Sequence, residues 1–161
     1  MNSRPISAEM VKSAPQLGIW NMLRNGISQS EIARRLGISR QAVSKLAQPI
    51  PEKVTTALKD AAVLNRVEPR FIDSSKGVLV GWSNELRTET VIILNPQIGL
   101  RVWYKHNLGR CRICPDEKQC KAVLLDNAHE FGVYLSKREK ALEPSKLATI
   151  VFSRLLRTTK E

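Results

Sequence analysis

Cysteine is nearly absent from this chain: three residues in 161, all between positions 111 and 120, so whatever its thiols do is done in one place. Histidine occurs only twice, and there is neither a glycine-rich phosphate loop nor a Ser-His-Asp arrangement. An enzyme is therefore not expected; the one nucleophile to consider is Cys111 near His106, and clustered cysteines point to ligation more than to a single activated thiolate. Long apolar stretches are missing too, Val91–Leu94 being as long as any. The opening MNSRPISAEMVKSAPQLG carries Pro, Glu and Lys where a secretory signal needs an unbroken apolar region. A cytoplasmic protein without a membrane partner is expected.

Acidic residues are also scarce, 15 against 26 lysines and arginines, for a net charge of +11. Such a field attracts polyanions, and nucleic acid is the first partner to consider. The excess does not locate a face, because residues 1–65 hold nine basic and four acidic residues and residues 66–161 hold seventeen and eleven. The length suits one core or two small ones sharing contacts.

The pattern along the chain changes near Pro69. Before it, a helix is expected from Pro15 to Asn25, closed by Gly26, with Leu17, Trp20 and Leu23 inward. Another runs from Ile50-Pro51 to about Asn65 on Val54, Ala57, Leu58, Ala61, Ala62 and Leu64. Beyond it, Gly77–Trp82, Thr88–Leu94 and Leu100–Tyr104 predict a three-stranded antiparallel meander. Helices follow from Asp116 to about Phe131 and from Pro144 to about Arg157. The class is α+β: an all-helical domain over residues 1–65, then an α+β dimerisation or sensor domain over residues 66–161 with a small antiparallel sheet and C-terminal helices.

Between the first helices lies QSEIARRLGISRQAVSKLAQ, residues 29–48. Ile32, Ala33, Leu36, Ile38, Val43 and Leu46 supply apolar positions for two helices crossing steeply, and Gly37 supplies the left-handed turn. Ser28 and Glu31 have capping-box spacing, and Ser39 can cap the second helix. The stretch resembles the helix-turn-helix of prokaryotic transcription regulators and site-specific recombinases, with the form IA..LG.S...V. That resemblance makes Arg40–Ala47 the recognition helix. Arg40, Gln41, Ser44, Lys45 and Gln48 share a stripe opposite Val43 and Leu46, so they can face the major groove, with Ser39 at the helix start. Arg and Gln read guanine and adenine edges, while Arg34, Arg35 and Lys45 are placed for phosphates.

Cys111-x2-Cys114-x5-Cys120 has the spacing of thiolates sharing one metal or cluster, and His106 is a candidate fourth ligand. His129 is a weaker one. A disulfide or plain core thiols are the alternatives. The segment CRICPDEKQCKAVLLDNAHEFGVY resembles the cluster-binding part of the WhiB-like iron–sulfur regulators, including a Gly-Val-aromatic turn at Gly132-Val133-Tyr134. The upstream fourth cysteine of that family has no counterpart here. An iron–sulfur cluster with a non-cysteine ligand, or a zinc site completed by His106, is the cofactor expected. Trp20, Trp82, Trp103 and Tyr104 are expected in the core or an interface rather than stacked on bases.

The expected function is a sequence-specific DNA-binding transcription regulator, with any redox or metal response residing in Cys111, Cys114 and Cys120. One reading head covers few base pairs, so a homodimer on palindromic double-stranded DNA is expected, with helix 52–65 or 144–157 as the dimer surface. The competing expectation is an accessory subunit of a DNA or RNA machine that uses the helical head for protein contact.

Overall fold

The computed structural model describes residues 14–96, 99–105 and 110–157. Four helices come first: α1 (Ala14–Arg24), α2 (Gln29–Leu36), α3 (Arg40–Ala47) and α4 (Ile50–Leu64). Strands β1 (Val67–Asp73), β2 (Val78–Ser83), β3 (Thr88–Asn95) and β4 (Gly99–Tyr104) follow. A short 3-10 turn, Cys111–Ile113, then leads to α5 (Glu117–Glu130), α6 (Lys137–Lys140) and α7 (Pro144–Arg157). The α+β class and its order of helices, antiparallel sheet and helices are as the pattern predicts.

The sheet has four strands in the order β1-β2-β3-β4, every pair antiparallel, rather than the three expected. The additional strand is β1. Its Pro69 cannot donate to a ladder, a lack tolerated on an edge strand, and the β1–β2 register shifts between Pro69 and Phe71. Glu68, Pro69, Arg70 and Phe71 are all exposed, so β1 lacks the alternation that reveals a half-buried strand. At the β1–β2 turn, Asp73 Oδ1 accepts hydrogen bonds from the backbone of Ser75 and Lys76. Gly77 follows at φ +68°, where an added Cβ would lie 2.5 Å from the Leu94 carbonyl oxygen and 2.8 Å from the Trp20 ring.

Helices cover both sheet faces. Leu79, Ile92 and Leu94 join Ile19, Trp20, Ile32, Val43, Val54 and Leu58 in one apolar cluster, which runs without a break from the first helices onto the sheet. On the opposite face Val78, Val80, Val91 and Ile93 pack with Leu124, Leu147, Val151, Phe152 and Leu155 of α5 and α7. Burial on both sides explains why β2 and β3 read as nearly continuous apolar runs. The apolar stripes of α4 and α7 are therefore used within the chain, and what α4 leaves exposed is Val63 and Leu64 at its end. No helix among the described residues is long and apolar enough to cross a membrane.

Candidate nucleic-acid interface

Backbone capping builds the reading head. The Ser28 hydroxyl oxygen accepts from Glu31 N at 3.2 Å and opens α2. Gly37, at φ +65°, ends it, and Ile38 N donates back to the Ala33 carbonyl at 3.1 Å, a left-handed termination open to glycine at little cost. Ser39 then opens α3, its Oγ accepting from Ala42 N at 3.1 Å. The boundaries of α3 are those the resemblance implied for the recognition helix.

Two of the locking positions differ from expectation. Ile32, Ala33 and Val43 are buried and Leu46 is partly so, but Leu36 and Ile38 are 45% and 37% exposed. They flank Gly37, and the left-handed turn carries them around the outside of the crossing. The capping box is also only half made. The Glu31 carboxylate takes two hydrogen bonds from Arg34, at 2.8 and 2.6 Å, and one from Arg35 at 2.8 Å. Those bonds, Arg34's first and Arg35's next, pull the Glu31 carboxyl down from 4.5 to about 2. Two candidate phosphate-binding arginines thus share one carboxylate in the free protein.

All eight candidate DNA residues, Arg34, Arg35, Ser39, Arg40, Gln41, Ser44, Lys45 and Gln48, are exposed, while Val43 on the other side of α3 is wholly buried. Ser39 spends its oxygen on the cap and keeps its hydroxyl hydrogen for an acceptor such as a phosphate oxygen. A positioning residue escaped the sequence pattern. Gln16 on α1 donates from Nε2 to the Leu46 carbonyl at 3.2 Å and accepts from Lys53 Nζ at 2.7 Å, tying the end of α3 to α1 and α4. Its partners lie 30 and 37 residues away, beyond the reach of a helical period.

The cysteine segment stands elsewhere, beside β4 and α7. Cys111 and Cys114 bracket the 3-10 turn, where Cys114 N donates to the Cys111 carbonyl at 3.1 Å, and Cys120 sits in the first turn of α5. The thiols are free; Cys111 and Cys120 are half-buried and Cys114 is exposed. Burial, reinforced by neighbouring Cys114, Asp116 and Cys111, raises the Cys120 thiol above its ordinary value. Among the described residues no group of three or more His, Cys, Asp or Glu side chains is arranged to hold a metal ion, so these donors alone do not fit one. His106 lies outside the described residues. His129 is exposed near the far end of α5. Trp20 is core, whereas Trp82, Trp103 and Tyr104 are half-buried, with Arg70 lying 4.9 Å over the Trp82 ring.

Residues 21–48 match a family model described as helix-turn-helix, a stretch that takes in the end of α1, the whole of α2 and α3 and the turn between them. The match ends at Gln48 and does not extend to the cysteine segment. No curated protein and no solved structure matches the chain. The agreement of matched segment, capped helix pair and exposed basic stripe supports a DNA-binding helix-turn-helix regulator.

Proposed function

We propose that this protein is a sequence-specific regulator of transcription that inserts α3 into the major groove of double-stranded DNA. The observation that carries the proposal is the two-sidedness of α3: Val43 buried against the head, with Arg40, Gln41, Ser44, Lys45 and Gln48 outside. Arg40 and Gln41 lie at its amino end, from which recognition helices reach base edges. Arg34, Arg35 and Lys45 supply phosphate contacts, and Ser39 a hydroxyl donor. The division of labour places DNA reading in residues 1–65, and dimerisation and sensing in residues 66–161.

The protein would act as a homodimer on a palindromic site, since one short helix reads too few base pairs for useful selectivity. Response to redox state is the role we assign to Cys111, Cys114 and Cys120, the chain's only thiols, which line one cavity; response to a metal would need a further ligand besides these three. Selection of bound duplexes from a random pool, followed by measurement of affinity for the selected site against random DNA, tests the reading. A protein with no preference for any duplex would overturn it. Sedimentation with and without the selected duplex tests the dimer, and the absorption spectrum and metal content of anaerobically purified protein test the cysteine assignment.

A further inference from the structure

The cysteine segment closes a cavity of about 450 Å³ against the sheet and α7, within the roughly 300–1,000 Å³ range of small-molecule sites. Its inner wall is apolar and aromatic. Val91 of β3 and Trp103 of β4 face Ala148 and Phe152 of α7, the Trp103 and Phe152 rings lying 5.8 Å apart and tilted by 52°. The thiols of Cys111, Cys114 and Cys120 form another side, polarizable surfaces suited to the edge of an aromatic ring.

Among the described residues the rim is positive. Glu89 and Lys105 both line the cavity and pair with each other at 3.2 Å, so neither adds net charge, and Arg110 adds one cation. Ser145 brings in the amino end of α7; Pro144 carries no N–H and the Lys146 and Leu147 N–H groups donate to the Glu143 carbonyl at 3.1 and 3.0 Å, so the helix dipole and the Ser145 hydroxyl are what favour an anion there. Glu143 precedes that helix but is paired with Lys146 at 2.8 Å, and Asp116, beside Cys120, is not among the lining residues.

We propose that this cavity binds a small aromatic molecule carrying one acidic group, its rings between Trp103, Phe152 and the thiols and its anion at Arg110 and the start of α7. Nothing in the binding step depends on the DNA-reading proposal; only an effect of the ligand on DNA rests on it. The route for such an effect would be α5, a rod of 14 residues, about 21 Å long, with Cys120 on the cavity and Glu130 bonded to Arg24 of α1.

The test uses two fluorescent probes with the same rings, 1-anilinonaphthalene-8-sulfonate and its uncharged parent N-phenyl-1-naphthylamine, titrated into the full chain. The sulfonate should saturate at one per chain and bind several-fold tighter than the neutral probe, an advantage that Arg110→Ala removes. Ala148→Phe, which fills the cavity, should weaken both at least tenfold. In unsubstituted protein the bound sulfonate should slow iodoacetamide labelling of Cys111 and Cys120 by at least fivefold relative to the same protein without probe, a readout that needs no variant to fold. Sulfonate binding unchanged by Ala148→Phe, equal affinity for the neutral probe, or no protection of Cys111 and Cys120 would each overturn the proposal.

Discussion

Arg24 of α1 donates from Nη2 to Glu130 Oε2 of α5 at 3.3 Å across 106 residues of sequence, with the two side chains only 2% and 14% exposed. The guanidinium lies 5.0 Å from the Trp20 ring centroid and 4.6 Å from that of Phe131. Burial lowers the Arg24 pKa despite Glu130's opposing pull, and the group stays a cation because arginine starts so high. Asn95 at the end of β3 donates to Asn127 at 3.2 Å and also to Glu130, so first helix, sheet and α5 meet at one polar knot. Removing one partner leaves a buried charge unpaired, which costs about 3–5 kcal/mol. Glu130→Ala should lower the melting temperature by roughly 6–20 °C, while surface Arg35→Ala should leave it nearly unchanged. Thermal unfolding of the two variants side by side checks this.

Base-edge and phosphate contacts predict different phenotypes on the reading head. Arg40→Ala and Gln41→Ala should each erode the preference for a selected site over random DNA by about 1–3 kcal/mol, whereas Arg35→Ala should weaken all duplexes alike. Competition binding at fixed salt separates the two. If Arg40→Ala left the preference intact, α3 would not be reading bases through that residue.

Glu31 binds both Arg34 and Arg35, the two arginines proposed to contact phosphates. Glu31→Gln removes the charge that both arginines share in the free protein and should tighten binding to any duplex. The slope of log affinity against log salt should steepen by about one, the signature of an additional phosphate contact. Titrations at several salt concentrations measure it.

Acid should weaken the fold through a second carboxylate of this kind. Arg154, followed by the Ser136 backbone and hydroxyl, lowers the Glu139 carboxyl from 4.5 to about 2. A carboxyl depressed in the folded state contributes stability above its unfolded value and loses it as pH falls through the folded one. Stability should therefore decline between about pH 4.5 and pH 2, and Glu139→Gln should flatten that decline. Denaturant unfolding across this range gives the two slopes.

The helix-turn-helix was legible because its signals are local. Ser28, Gly37 and Ser39 act on backbone groups three to five residues away, and the helical period alone puts Val43 inside and Arg40, Gln41 and Ser44 outside. The antiparallel strands rich in Val and Ile announced themselves in the same way. What the chain could not reveal locally was how its elements share partners. Pro69 reads as a break until an edge position makes its missing N–H harmless. Glu31 has capping-box spacing, yet two arginines within one helical turn compete for its carboxylate. Gln16 and Arg24 find their partners only once α1 is packed, and the cavity beside the thiols exists only where β3, β4 and α7 meet the cysteine turn. Capping and periodicity are set by atoms a few bonds apart, so sequence by itself determined the reading head; the Arg24–Glu130 pair and the cavity join groups distant in the chain, and only the packing of helices on both sheet faces brings them within reach.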